Sequence, residues 1–170
     1  MRNVRYIIVM GVSGCGKSTV AALLAGRLGW AFIEGDALHS PENVRKMSQG
    51  IPLTDEDRRP WLQDIARTIQ GWRQCGQPGV IACSSLRRSY REIILDHADD
   101  LCFAYLRGGF QLIEQRLTAR QGHYMPVRLL ESQFMTLEEP VADEPAITLD
   151  VGAPAETLTS TIIEALNLKV

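Results

Sequence analysis

Long hydrophobic runs, paired cysteines and an excess of charge of one sign are all missing from this 170-residue chain. Its apolar runs fall short of the roughly 20 residues of a membrane-spanning helix, and the N-terminal run is too short for a signal peptide. The four cysteines and three histidines show neither a C-x-x-C pair nor zinc-ligand spacing. The 18 basic and 20 acidic side chains nearly balance, which disfavours a nucleic-acid surface. We therefore expect a cytoplasmic protein with reduced cysteines that binds neither nucleic acid nor membranes.

One motif near the N-terminus predicts a phosphate-binding loop. An apolar run ending at Met10 leads directly into Gly11–Ser18, which matches the P-loop pattern G-x-x-x-x-G-K-[ST]. The backbone N–H groups of such a loop, together with the dipole of the following helix, bind an anion. Lys17 is expected to reach the β- and γ-phosphates of a nucleoside triphosphate, and Ser18 to bind Mg²⁺. The expected nucleotide-binding residues are Gly11, Val12, Ser13, Gly14, Cys15, Gly16, Lys17, Ser18 and Thr19.

The order of apolar segments predicts an α/β fold. Strand-like runs lie at about residues 5–10, 31–34, 79–83, 101–106 and 146–151. Segments with helical spacing separate them, so we expect a single domain over residues 1–170, in which helices cover both faces of a parallel sheet. Ligands bind at the carboxyl ends of the strands of such a sheet. The polar stretch 118–145 is predicted to form a mobile flap.

Asp36 is the carboxylate that we expect to carry the chemistry. It follows the second predicted strand and should face the same crevice as Lys17. Two roles compete for it, namely accepting the proton of an attacking hydroxyl and holding Mg²⁺ through water. The structural alternative is an N-cap for the next turn. Because the third predicted strand ends without an acid, metal binding is also assigned to Asp36.

Basic side chains form a second group of candidates. They are Arg45, Lys46, Arg58, Arg59, Arg87, Arg88 and Arg91. Of these, Arg45, Arg59 and Arg88 are expected to be ordinary surface residues. Arg87 directly follows the third predicted strand and Arg58 lies near a helix start, so these two are expected to bind an anionic acceptor. Arg116 and Arg120 lie four residues apart on one helix face, just before the flap. We expect them to bind the nucleotide phosphates and to neutralise the transferring phosphoryl group.

Two histidines and one cysteine are further candidates. His39 lies three residues after Asp36 and is expected to bind the acceptor, whereas His123 lies in the predicted flap. Cys15 is either a small residue that the loop tolerates or, as a hypothesis, an oxidation-sensitive thiol. In the second case, Lys17 and the helix dipole would lower the pKa of the thiol.

Several segments along almost the whole chain together resemble the gluconokinase family of small-molecule kinases. These segments are Met10–Ser18, Gly35–His39, Asn43–Met47, Gly50–Leu53, Asp55–Leu62, Cys83–Arg91, Arg116–Arg120, Gly122–Met125 and Ser132–Phe134. The P-loop alone indicates only a superfamily. The sequences GDALH at 35–39 and DRRPWL at 57–62 are far more specific to the family.

The resemblance implies ATP-dependent phosphorylation of D-gluconate at its 6-hydroxyl, with ATP and Mg²⁺ as cofactors. It implies a three-layer P-loop NTPase fold with a five-stranded parallel sheet, as in adenylate and shikimate kinases, a mobile lid at about residues 118–135, and a homodimer. Together with the motifs it implies catalysis by Lys17, Asp36 and Arg120, and nucleotide binding also by Arg116. The implied acceptor ligands are Asp36, His39, Arg58, Arg87 and His123, and the implied Mg²⁺ ligands are Ser18 and Asp36.

Two alternatives to a gluconokinase stay open. A kinase for another small anionic acceptor, such as shikimate or a nucleoside monophosphate, would also need basic residues in the crevice. A nucleotide-dependent regulator would bind ATP with little phosphoryl transfer. Asp36, the basic side chains and the flap together favour a transfer site over a regulator.

Overall fold

One sheet of five parallel strands forms the centre of the computed structural model, which describes residues 3–120 and 127–170. The strands are β1 (Tyr6–Met10), β2 (Ala31–Glu34), β3 (Gly79–Ala82), β4 (Leu101–Arg107) and β5 (Ala146–Asp150). Their order across the sheet is β2-β3-β1-β4-β5. Ile8 of β1 lies opposite Ile81 on one side and Phe103 on the other. The P-loop therefore begins at the centre of the sheet, and the predicted α/β fold is confirmed.

Seven α-helices and one short 3₁₀ helix are found in the described residues. They are α1 (Lys17–Leu28), the 3₁₀ helix Gly35–Leu38, α2 (Pro41–Ser48), α3 (Asp55–Gln74), α4 (Arg88–Leu95), α5 (Phe110–Ala119), α6 (Val127–Thr136) and α7 (Ala155–Ala165). Helix α3 begins with a capping box, in which the Thr54 hydroxyl accepts the Asp57 N–H and the Asp57 carboxylate accepts the Thr54 N–H. Within the described parts of the chain, every helix is too short or too polar to cross a bilayer.

Helices cover both faces of the sheet, as predicted. Ile7 and Val9 point to one face and Ile8 and Met10 to the other, because successive side chains of a strand alternate, and all four are fully buried. The first pair packs with α1, α5 and α7, and the second pair packs with α3 and α4. Because helices pack on both faces of the sheet, the carboxyl ends of its strands are held in place. The candidate site lies at these ends.

Candidate active site

The loop between β1 and α1 has the backbone shape of a P-loop. Gly11 and Gly16 have φ values of 144° and 98°, which residues with side chains rarely adopt. A Cβ atom on Gly11 would also lie 2.8 Å from the carbonyl oxygen of Leu106. The loop therefore needs glycine at its first position, and Gly16 forms the N-cap of α1.

Hydrogen bonds hold the P-loop against β3 and place its lysine. The Gly11 N–H donates to the carbonyl oxygen of Ser84, just after β3, at 3.2 Å. The ammonium of Lys17 donates to the carbonyl oxygen of Val12 at 3.0 Å, so it lies across the loop. Ser18 and Thr19 are exposed in the first turn of α1. The loop thus presents one ammonium and the N-terminus of a 12-residue helix, a combination that favours a bound anion.

A cavity of about 570 Å³ opens beside the P-loop at the carboxyl ends of the strands, which is a suitable size for a small-molecule ligand. The predicted site residues that line it are Ser13, Gly14, Gly16, Lys17, Ser18, Thr19, Asp36, His39, Arg58 and Arg120. The other predicted loop residues, Gly11, Val12 and Cys15, are buried. The nucleotide-binding loop and several expected acceptor ligands therefore share one space.

Asp36 and His39 lie next to each other in this cavity but in different environments. The Asp36 side chain is 80% exposed, whereas that of His39 is 3% exposed, and Oδ1 of Asp36 lies 4.0 Å from Nε2 of His39. The His39 ring stacks on Trp61 with centroids 4.0 Å apart. Burial lowers the pKa of His39, which opposes the effect of the Asp36 carboxylate. His39 is therefore a neutral hydrogen-bonding group at pH 7.

The alternative interpretation of Asp36 as the N-cap of the next turn is wrong, because Asp36 lies inside the 3₁₀ helix, whose N-cap is Glu34. Helix α2 is capped by Ser40, whose hydroxyl accepts the Asn43 N–H at 3.2 Å. Asp36 lies earlier, in the 3₁₀ helix, which Trp61 holds by donating its indole N–H to the Gly35 carbonyl oxygen at 2.8 Å. The Asp36 carboxylate is thus available to a ligand.

Glu34 is a second carboxylate in the cavity and was not among the predicted site residues. It ends β2 and lines the cavity together with Lys17 and Ser18. Its Oε1 atom is buried and has no hydrogen-bond partner among the residues that the structure describes. A buried oxygen without a partner is costly unless a ligand satisfies it. The signal was present in the sequence, because Glu34 is the last residue of a predicted strand.

Arg58 and Arg87 belong to one hydrogen-bonded cluster, but only Arg58 lines the cavity. Arg58 donates to the Leu53 carbonyl oxygen at 2.6 Å and to the Tyr90 hydroxyl at 3.2 Å. Tyr90 donates to Asp55 Oδ1 at 2.5 Å, and Arg87 lies 3.3 Å from Asp55 Oδ2. The Tyr90 hydrogen bond holds the pKa of Asp55 below its usual value. Tyr90 also lines the cavity, and its ring is buried.

The two arginines at the end of α5 have separate places. Arg116 donates to the Val151 carbonyl oxygen, just after β5, at 2.6 Å. Arg120 lines the cavity at the C-cap of α5. His123 and the rest of residues 121–126 lie outside the described residues. Of the predicted lid over 118–135, the structure therefore describes the end of α5 and most of α6.

Arg91 is a structural residue rather than a crevice cation. Its side chain is 1% exposed and forms a bidentate ion pair with Glu144, at 2.5 and 2.9 Å. It also donates to the Ser85 and Glu138 carbonyl oxygens, each at 3.0 Å. Arg91 therefore ties the loop after β3 to the segment that follows α6.

The structure contradicts the lowered thiol pKa on which the hypothesis of an oxidation-sensitive Cys15 depends. Its side chain is 1% exposed. Burial raises the pKa of the thiol, and this effect exceeds the lowering by the Lys17 ammonium. Cys15 therefore fills space beneath the P-loop.

The donor set in the cavity fits Mg²⁺ bound together with a nucleotide. In the described residues, no group of three or more His, Cys, Asp or Glu side chains forms a metal site by itself. Mg²⁺ keeps several waters and needs only one or two protein oxygens beside substrate phosphates. The exposed Ser18 hydroxyl, the exposed Asp36 carboxylate and the unpartnered Glu34 oxygen can meet that need.

Known proteins resemble the chain over nearly its whole length. A gluconokinase of Gluconobacter oxydans is 51% identical, over 84% of this chain and 80% of its own. A probable gluconokinase of Mus musculus is 43% identical, over 95% of this chain and 97% of its own. The chain belongs to the gluconokinase family. No protein-family model matches the chain, so its membership of the gluconokinase family rests on such relatives.

Solved structures support both the assignment to the gluconokinase family and the predicted fold. The crystal structure of a gluconokinase from Sinorhizobium meliloti 1021 has a TM-score of 0.88 and 43% identity, over 98% of this chain and 94% of that one. A shikimate kinase from Bacteroides thetaiotaomicron has a TM-score of 0.68 and 16% identity, over 96% and 98% of the two chains. The second likeness shows the shared fold alone, which confirms the predicted P-loop kinase architecture.

Proposed function

We propose that this protein transfers the γ-phosphoryl group of ATP to the 6-hydroxyl of D-gluconate, giving 6-phosphogluconate and ADP. The proposal rests on the sequence identity with gluconokinases over almost the whole chain. In this chain the P-loop lines one cavity together with Asp36, His39 and Arg58. Kinases of this type act through positioning and charge stabilisation. The roles proposed for residues of the cavity are therefore to position the two substrates and to stabilise charge.

The nucleotide end of the cavity is assigned to the P-loop. Lys17, whose ammonium now lies against the Val12 carbonyl oxygen, would turn to the β- and γ-phosphates. Ser18 and Asp36, with Glu34 beside them, would hold Mg²⁺, which supplies positive charge to these phosphates when it is bound. Arg120 would add positive charge at the transferring group, and Arg116, near the loop after β5, would bind the nucleotide.

The acceptor end is assigned to Asp36 and its neighbours. The exposed Asp36 carboxylate would accept the proton of the 6-hydroxyl as that oxygen attacks the γ-phosphorus. His39 is neutral and fixed by Trp61, so it would hydrogen-bond a hydroxyl of the sugar acid. Arg58 would bind the carboxylate of the substrate, with Arg87 and His123 as further ligands.

An acceptor panel tests the proposal. ADP release would be coupled to a spectroscopic readout with gluconate, related aldonates, shikimate and nucleoside monophosphates as acceptors. We expect the highest kcat/KM with gluconate and phosphorylation of the 6-hydroxyl in the NMR spectrum of the product. Preference for shikimate or a nucleotide would make the protein a different kinase. ATP binding with background turnover on all acceptors would make it a regulator.

We further propose that the protein works as a cytoplasmic homodimer, as the resemblance to gluconokinases implies. The tests are light scattering at micromolar concentration, where a mass near twice 18.9 kDa is expected, and fractionation of the source cells. A mass of one chain would contradict the dimer, and recovery in a membrane or secreted fraction would contradict the location.

A further inference from the structure

Gln133 of α6 makes a two-point contact with the P-loop. Its Oε1 accepts the backbone N–H of Ser13 at 2.7 Å, and its Nε2 donates to the Ser13 hydroxyl oxygen at 2.9 Å. A carboxamide is the side-chain group that carries an acceptor and a donor side by side. Because the backbone N–H of Ser13 can only donate, it fixes Oε1 as the end of the carboxamide that faces this amide, and Nε2 as the end that faces the hydroxyl.

The helix that carries Gln133 is itself anchored. Leu130, one turn earlier, is 1% exposed in the core beneath the P-loop. Phe134 packs edge-to-face on Phe110 of α5, with ring centroids 5.5 Å apart. After the helix, the Glu138 N–H donates to the Leu86 carbonyl oxygen at 2.8 Å. Gln133 is therefore held against Ser13 by a packed element.

The Ser13 contact lies where phosphoryl transfer would take place. Ser13 and Gln133 both line the cavity, together with Lys17 and Asp36. Ser13 is the third residue of the loop and precedes Gly14, whose φ of 81° is a turn conformation that glycine adopts without strain. Gln133 bonds both the amide and the hydroxyl of Ser13, and these two hydrogen bonds restrain the peptide at this turn.

We propose that Gln133 is a positioning residue that keeps the tip of the P-loop in its phosphate-binding shape and so links α6 to nucleotide affinity. This inference rests on the proposed ATP-dependent transfer. Gln133 acts through Ser13 and has no need to touch the acceptor. Its loss should therefore weaken ATP binding and raise KM for ATP, while KM for gluconate changes little.

The test is a double-mutant cycle on ATP affinity, measured calorimetrically without acceptor. We expect Gln133→Ala to weaken ATP binding by about tenfold, because without these two hydrogen bonds of ordinary strength the free loop spends less time in its phosphate-binding shape. Ser13→Ala removes one of them and should weaken binding less. The double variant should match Gln133→Ala alone, since the contact is already gone. Met135→Ala, at an 88% exposed position on the same helix, is the control and should bind ATP normally.

Gln133→Met keeps most of the side-chain volume without either hydrogen-bonding group, and it replaces Gln133→Ala if the latter does not fold. Wild-type ATP affinity in a folded Gln133 variant would overturn the proposal, and so would full additivity with Ser13→Ala. An equal rise of KM for gluconate would also contradict it. Because ATP affinity is measured without acceptor, the result stands apart from whether gluconate is the substrate.

Discussion

Replacing Asp36 by asparagine should separate catalysis from stability and from nucleotide binding. The side chain is 80% exposed, and the His39 ring, 4.0 Å away, is neutral at pH 7. Removing the charge should therefore change the free energy of unfolding by less than about 0.5 kcal/mol. A general base contributes about 10²–10⁴-fold to a rate, so kcat should fall by that factor.

The assay for Asp36→Asn combines three measurements on one preparation. Turnover comes from coupled ADP release with gluconate, ATP affinity from calorimetry without Mg²⁺, and stability from urea unfolding. Asp64→Asn, an exposed carboxylate on α3 paired with Arg67, is the matched control and should turn over normally. Turnover within a few-fold of wild type in Asp36→Asn would refute its role as the base. A large fall in the free energy of unfolding would contradict the exposed position of the Asp36 side chain.

Three further predictions follow from buried groups. Glu34→Gln should leave stability unchanged or higher, because its oxygen has no described partner, and should raise the Mg²⁺ concentration needed for half-maximal rate; an unchanged Mg²⁺ titration would remove Glu34 from the metal shell. Arg91→Ala should cost about 3–5 kcal/mol in urea unfolding, because Glu144 is left buried without its partner; a cost below about 1 kcal/mol would contradict this. Burial lowers the pKa of His39 in the folded state. The unfolded state therefore binds more protons than the folded state below about pH 6.5. The free energy of unfolding should for this reason fall as the pH is lowered from 7 to 5. His39→Gln should reduce that slope, and an equal slope in both proteins would contradict the assignment.

Local sequence signals were enough for the fold and the P-loop. The predicted strand at 31–34 has the observed bounds, and the predicted strand at 79–83 is one residue too long. Apolar strands between helical segments leave few topologies, because parallel strands need crossover helices. The motif Gly11–Ser18 fixes its own backbone shape through its glycines, so it could be identified without tertiary information.

Residues whose role depends on distant partners were missed or misassigned. Tyr90 has the spacing of a core residue and a buried ring, yet its hydroxyl bonds Asp55, 35 residues earlier. Arg91 stood among the crevice cations, but Glu144, 53 residues later, pairs with it in the interior. Gln133 contacts Ser13 across 120 residues. Periodicity and spacing report on one element at a time and carry no information about such pairs.

On the proposed function, the cavity beside the P-loop selects gluconate as the acceptor. A competition experiment tests this selectivity. The protein is given limiting ATP with equal concentrations of gluconate, shikimate and a nucleoside monophosphate, and the phosphorylated products are separated by mass spectrometry. We predict that 6-phosphogluconate accounts for nearly all the transferred phosphate. Phosphorylation mainly of shikimate or of the nucleotide would show that the cavity does not select gluconate.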